Sequence, residues 1–501
     1  MQKVLLFFPN TSNDSVVPRA IATLSSIAKQ VGFDVRYFET SFYKKRCSAA
    51  EERERSGEFK SFDRNSFIKL LPHERLRSDF YETLMQYKPD ILAVSANSLE
   101  YELFCELIQE IQSVKPKPFV IVGGIEATIA PDDVIINPYV DALCVGEGEK
   151  TWEEFLVRFK AGQDITNVNN LWVKNDSGIH RNPLRPLLTE QELWTHPLDL
   201  SFFDKRHFTY VFDGKVYLRG NIELSRGCPY SCTYCVNTGL KQIYKDLGKF
   251  VRVRPLDNLQ EEVSRLVGLG CEMLYFQDES FLSTPYGVLE KFCRWYGSKV
   301  GLPIIFMARP ESVTDTRIKL VAGMGVPVQI SLGVESGSER ILRDICNRKT
   351  TVQQIKNSVK IIKKYKLRST AYTMIAFPTE TREDVFETIF LIRELEVNTS
   401  IMSVFFPFKG TPLRKYCIEN GYISGNERTR TFTDASILKN QPMSVDEITN
   451  LRRTYSLYTK LPEEYFPKIE LCERDYEHHK TLYNELVSTL QRDYYNAWKL
   501  K

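Results

Sequence analysis

The segment Asn221-Ile222-Glu223-Leu224-Ser225-Arg226-Gly227-Cys228-Pro229-Tyr230-Ser231-Cys232-Thr233-Tyr234-Cys235 sets a CxxxCxxC motif directly after a short strand pattern. Gly, Pro and Ser between the thiols mark a loop. Clustered cysteines have no packing reason to be in a loop. The chain has eleven cysteines in 501 residues, so chance seldom produces this spacing. Three readings are open. The thiols are structural; or they hold zinc, which needs a fourth Cys or His; or they hold three irons of a [4Fe–4S] cluster and leave the fourth iron free to be chelated. In sequence the flanking histidines, His207 and His478, are both distant. The loop setting favours the cluster.

Outward from this loop, apolar runs alternate with amphipathic helical patterns in two series. Downstream, runs at Met273–Gln277, Ile304–Ala308, Val328–Gly333, Ala371–Ala376 and Ser400–Phe406 join the strand at Asn221 to make six βα repeats. Six are too few for a closed eight-unit barrel, so a partial (β/α)6 TIM-type barrel is expected over residues 216–415. Upstream, runs at Lys3–Pro9, Asp34–Glu39, Asp90–Ala96, Phe119–Gly123 and Ala142–Val145 predict an α/β, doubly wound, Rossmann-like (flavodoxin-like) domain over 1–164. The charged stretch Lys44–Arg64 reads equally as a loop or an inserted helix. Residues 165–215 carry a hairpin signal at Asn175-Asp176-Ser177-Gly178, then Pro183, Pro186 and Pro197, and read as an interdomain linker. Residues 416–501 read as a helical C-terminal segment.

The composition narrows the class. Apolar residues make up 43% and charged residues 26%, ordinary for a globular chain. Lys and Arg outnumber Asp and Glu by 67 to 64, too even for a protein that grips nucleic acid along its surface. No apolar run approaches the length of a membrane span, and the first residues are too short for a signal h-region. A soluble, cytoplasmic protein is expected. The scattered cysteines agree with a reducing compartment.

With its aromatic residue before the last cysteine and its place after the first barrel strand, the motif resembles the radical S-adenosylmethionine (SAM) superfamily. The resemblance implies a [4Fe–4S] cluster on Cys228, Cys232 and Cys235 whose open iron chelates the amino and carboxyl groups of SAM. Electron transfer from an external donor of flavodoxin or ferredoxin type then cleaves SAM to a 5′-deoxyadenosyl radical, which abstracts hydrogen from unactivated carbon. Position by position, it implies SAM contacts at Tyr234, at Asp278 and Glu279 after the second strand, and at Arg309 after the third. It adds Glu335 and Ser336 after the fourth strand and Phe377 after the fifth. All lie at strand C-terminal ends, the catalytic face of such barrels.

A doubly wound domain ahead of this barrel resembles the cobalamin-binding class. The matching positions are Ser95, Gly123, Gly124, Gly146, Glu147 and Gly148, at the ends of the third, fourth and fifth strands. Proteins that ligate cobalt with histidine carry Asp-x-His-x-x-Gly after the first strand. Here that loop, Pro9–Ser15, has no histidine, so cobalamin without a protein histidine ligand is implied. The resemblance points to a cobalamin-dependent methyltransferase acting on an unactivated carbon of a small molecule. A radical cyclase or rearrangement enzyme, an RNA methylthiotransferase, and a non-enzymatic cobalamin or iron–sulfur sensor are the alternatives. A methylthiotransferase would need a second cluster on Cys47, Cys105 and Cys144, which read as unable to converge; one cluster per chain is expected.

Overall fold

A computed structural model describes residues 1–12, 16–45, 49–62, 67–212 and 214–495. The first sheet contains β1 (Lys3–Phe8), β2 (Asp34–Glu39), β3 (Ile91–Ser95), β4 (Phe119–Gly123), β5 (Ala142–Cys144), β6 (Leu171–Asn175) and β7 (Gly178–Arg181). Their order is β2-β1-β3-β4-β5-β6-β7, with the first five parallel. These strands are continuous apolar runs because both faces are covered. Val4, Leu6, Ala93 and Ile121 pack with the helices Arg19–Val31 and Glu149–Lys160. Leu5, Phe7, Leu92 and Val122 face the helices Arg75–Tyr87 and Ser98–Leu107. The expected hairpin forms, yet it is more than a linker element: β6 pairs antiparallel with β5 and completes the sheet.

The second sheet starts with an antiparallel pair, β8 (Thr209–Phe212) and β9 (Lys215–Ile222). A two-stranded clip follows, β10 (Ser225–Arg226) with β11 (Arg252–Val253). Then come β12 (Met273–Phe276), β13 (Ile304–Ala308), β14 (Val328–Glu335), β15 (Arg368–Ile375) and β16 (Thr399–Val404). The order β16-β15-β14-β13-β12-β9-β8 gives six parallel strands in sequence order plus one antiparallel edge. This is the expected partial barrel, with β16 and β8 as its two free edges.

The charged stretch left undecided by the sequence does hold a helix, Ala49–Arg55. It crosses to the barrel. The Met402 amide of β16 donates to Glu58 Oε2 at 3.3 Å, while the Lys60 side chain covers Gly214 in the β8–β9 turn. Arg452, on the C-terminal helix Val445–Lys460, donates to Glu58 Oε1 at 3.0 Å. Glu58 and Arg452 are both buried. The helices Phe466–Arg474 and Lys480–Thr489 complete the helical C-terminal region as expected.

Breaking a buried ion pair strands the remaining charge, at a cost of about 3–5 kcal/mol. Arg452→Met should therefore lower the unfolding midpoint in denaturant markedly. The double variant Glu58→Gln/Arg452→Met should recover part of that loss, because neither charge is then left alone.

Candidate functional site

The cysteine loop begins where β9 ends. Asp278, just past β12, is buried and accepts from the Leu224 amide at 3.0 Å and from Ser225 Oγ at 2.6 Å. Burial pushes its carboxyl up to about 7. Gly227 then turns with φ of 92°, and a Cβ there would lie 2.3 Å from the Phe250 carbonyl oxygen. Only glycine fits this turn. The Thr233 amide donates to the Cys346 carbonyl at 3.2 Å, and the Leu413 amide donates to the Thr233 carbonyl at 2.9 Å. Thr238 Oγ1 donates to the Cys232 carbonyl at 2.7 Å. The loop is clamped on three sides.

Cys228 and Cys232 are buried and Cys235 partly so, at the start of the helix Val236–Ile243. Burial raises the Cys228 thiol and pushes Cys235 to about 11, so their protons leave only as a cation arrives. Among the described residues, no three His, Cys, Asp or Glu side chains converge as ligands of one ion.

Arg309 has a role the sequence did not suggest. Its Nη1 donates to Cys232 Sγ at 2.9 Å, and its guanidinium lies 3.8 Å from the Tyr230 ring centroid. Glu311 holds its other edge. Against the cost of burial, hydrogen bonds from Arg309 and Thr350 and the charge of Arg348 keep Glu311 at about 2. Arg348 continues the chain to Glu335 at 3.2 Å, a residue held at φ of 66°. Burial raises the Glu335 carboxyl, and Tyr234 hydrogen-bonds to it.

The expected SAM residues therefore separate into two groups. Glu279 accepts from the Gly227 amide at 3.2 Å beside the cysteine loop, and Tyr234, Arg309 and Glu335 cluster around that loop. Asp278, Ser336 and Phe377 have their side chains packed into the wall. Both Asp278 oxygens are engaged as described. Ser336 Oγ is buried and lies 3.2 Å from Thr388 Oγ1. Phe377 is buried in a stack on Phe405 with centroids 5.2 Å apart.

A cavity of about 610 Å³ opens between the C-terminal ends of the two sheets. Ser95, Gly123, Gly124, Gly146, Glu147 and Gly148 all line it from the first sheet. Arg226, Gly227, Asn237 and Glu279 line it from the cysteine loop side. Ions from both domains tie the rim together. Arg226 faces Glu223 at 2.9 Å, Glu149 at 3.2 Å and Glu147 at 3.8 Å. Arg252 pairs with Glu147 at 2.8 Å. Although partly buried, Glu223 is held at about 2 by Arg226 and Arg19. Arg226 sits inside the motif, so its position offered a signal. Arg252, and the cavity-lining Trp194 and His196 from the interdomain segment, offered none.

The glycines differ in what they do. A Cβ on Gly124, at φ of 94°, would lie 2.6 Å from the Ala96 carbonyl oxygen, and one on Gly146 would lie 2.4 Å from the Tyr244 hydroxyl. These two shape the protein itself. Gly123 and Gly148 meet nothing nearer than 3.8 Å and 4.0 Å, so their missing side chains leave room in the cavity.

Residues 222–392 match the Radical SAM superfamily and residues 65–156 match the B12 binding domain. The chain therefore carries a radical SAM domain and, ahead of it, a B12-binding domain. It is 27% identical to an uncharacterized methyltransferase of Pyrococcus horikoshii over 84% of this chain and 88% of that one. It is 21% identical to the cytidylyl-2-hydroxyethylphosphonate methyltransferase of Streptomyces wedmorensis, over 73% of each. Among solved structures, it is similar to the radical SAM methyltransferase TsrM of Kitasatospora setae with cobalamin and a [4Fe–4S] cluster bound. The TM-score is 0.62 at 17% identity, over 84% of this chain and 78% of that one. The cobalamin-dependent radical enzyme OxsB gives 0.63 at 16%, over 98% and 72%. The cofactors of this class are a [4Fe–4S] cluster, SAM and cobalamin. The three-thiol loop and the glycine-lined cavity fit them.

Two outcomes test the loop. Cys232→Ala should abolish both the visible absorption of the reconstituted cluster and 5′-deoxyadenosine formation. Arg309→Gln should keep the cluster but move its reduction potential to more negative values, because hydrogen bonds to cluster sulfur raise the potential. An electrochemical titration followed by electron paramagnetic resonance reads that shift.

Proposed function

We propose that the protein transfers a methyl group from cobalamin to an unactivated carbon of a small molecule. The observation that carries this reading is the shared cavity, which puts the glycine loops of the B12-binding domain opposite the cysteine loop. When bound, SAM and the cluster supply a radical initiator, and cobalamin supplies a methyl carrier. The residues of the chain hold these groups and keep water away. Cys228, Cys232 and Cys235 hold the cluster. Glu279 accepts from the SAM ammonium, while Tyr234 and Glu335 border the SAM carboxylate and ribose. Ser95, Gly123, Gly124 and the Gly146-Glu147-Gly148 turn would receive cobalamin, and the loop after β1 offers it no histidine.

An external one-electron donor, a cytoplasmic setting and no nucleic-acid partner belong to the same reading. No described helix is long and apolar enough to cross a membrane. Methylthiotransfer is disfavoured. Cys105 lies on the helix Ser98–Leu107 and Cys144 ends β5, and Cys47 lies outside the described residues. Radical cyclisation is the competing reading, because a magnesium-protoporphyrin IX monomethyl ester cyclase of Cereibacter sphaeroides is 24% identical over 68% of this chain and 54% of that one.

Gly123→Val tests the cobalamin site, since Gly123 has room for a Cβ and Gly124 does not. The variant should lose bound cobalamin, S-adenosylhomocysteine and methylated product, while 5′-deoxyadenosine still forms. All three products are quantified together under anaerobic, reducing conditions. A wild-type enzyme that turns over substrate with cobalamin bound, yet makes no S-adenosylhomocysteine, would transfer the lead to cyclisation.

A further inference from the structure

The inside of the barrel is not packed like its outside. Tyr275, Met307, Tyr372, Met374 and Ser403 occupy inward strand positions and are partly exposed. Their outward neighbours Phe276, Phe306, Ala371 and Val404 are buried against helices. In a parallel barrel alternate side chains face opposite sides, so these partly exposed groups lie on the inside of the barrel. The walls named here are aromatic, thioether and hydroxyl groups, and the Arg219 guanidinium of β9 lies 5.2 Å from the Tyr275 ring centroid.

One cation enters from the other domain. Arg53 lies on the helix Ala49–Arg55, in the insertion that spans from β16 to the β8–β9 turn. Its Nη2 donates to Ser403 Oγ at 2.8 Å, on the inward face of β16. Its charge also acts on the Tyr372 phenol, which hydrogen-bonds to Ser331. Among the described residues, Ser403 is the only hydrogen-bond partner of its side chain. The Arg53 Nε–H is buried without an acceptor. Its Nε lies 3.9 Å from Glu58 Oε2, a long ion pair, while Arg452 holds the other oxygen of Glu58 at 3.0 Å. A guanidinium with unused donors in a half-enclosed site is a receptor for an oxyanion.

We propose that Arg53 anchors a carboxylate or phosphate of the substrate, whose apolar body lies against Tyr275, Tyr372 and Met307. The substrate class is thus an organic anion, and the residue that selects it is delivered by the insertion in the B12-binding domain. The inference rests on the barrel lumen being the substrate site, as the proposed reaction requires.

The test uses the reconstituted full chain with saturating SAM, titrated calorimetrically with 3-phenylpropionate, phenyl phosphate and the neutral 3-phenylpropionamide. The two anions should bind about tenfold or more tightly than the amide, as expected of charge-assisted hydrogen bonds. Arg53→Gln should erase most of that preference and Arg53→Lys should keep part of it. Cluster absorption and SAM affinity should be unchanged in both variants, which also shows that they fold. Equal binding of all three probes by wild type overturns the proposal, as does a preference that survives in Arg53→Gln. A parallel loss of SAM affinity also overturns it, because the guanidinium would then serve SAM. No turnover enters these measurements, so they stand or fall apart from the S-adenosylhomocysteine assay.

Discussion

Arg226 faces three carboxylates from two domains, and the geometry of the whole site depends on this one meeting. It follows the strand that feeds the cysteine loop, and Glu147 and Glu149 belong to the turn that ends the first sheet. Buried ion pairs add little net stability once desolvation is counted, but they are intolerant of displacement. Arg252 on β11 engages the same Glu147, so two guanidinium groups fix one turn. The consequence is positional: the glycine loops and the cysteine loop share a cavity instead of facing solvent separately.

A second constraint closes the barrel. The open seven-strand sheet leaves the outer edges of β16 and β8 without a strand partner, and exposed edges invite misassociation. The insertion around residues 49–62 occupies this seam. Its Glu58 accepts from a β16 amide and is neutralised by Arg452 of the C-terminal helix, so three parts of the chain meet at one carboxylate. The first domain therefore does more than present a cofactor site. It supplies part of the barrel wall.

Around the cysteine loop the ionic chain Arg309–Glu311–Arg348–Glu335 has a similar economy. Glu311 lies between two cations, and Arg348 is almost wholly buried. Glu311 stays ionised despite burial, which keeps Arg309 oriented towards Cys232 Sγ. Orientation fixed in this way needs no rearrangement when charge on the cluster changes.

Local pattern carried much of this protein. The apolar runs announced both sheets, since strands buried on two faces show as unbroken Val, Ile and Leu segments. The CxxxCxxC loop, set after the first barrel strand, pointed to a cluster through its resemblance to the radical SAM superfamily. The six glycine-loop and strand-end positions all reached the cavity, because strand C-terminal ends converge in any parallel sheet. Sequence did not separate Glu279, which faces the cavity, from its neighbour Asp278, which is walled in. Successive residues past a strand end point to opposite sides, and only packing settles which side is the site. Nor did it reveal that a charged stretch beginning near Lys44 would close a barrel that starts more than 150 residues later. Arg53 and Ser403, Glu58 and Arg452, and Arg309 and Cys232 are far apart in the chain. Their meetings are products of chain topology, which local propensity and spacing do not encode.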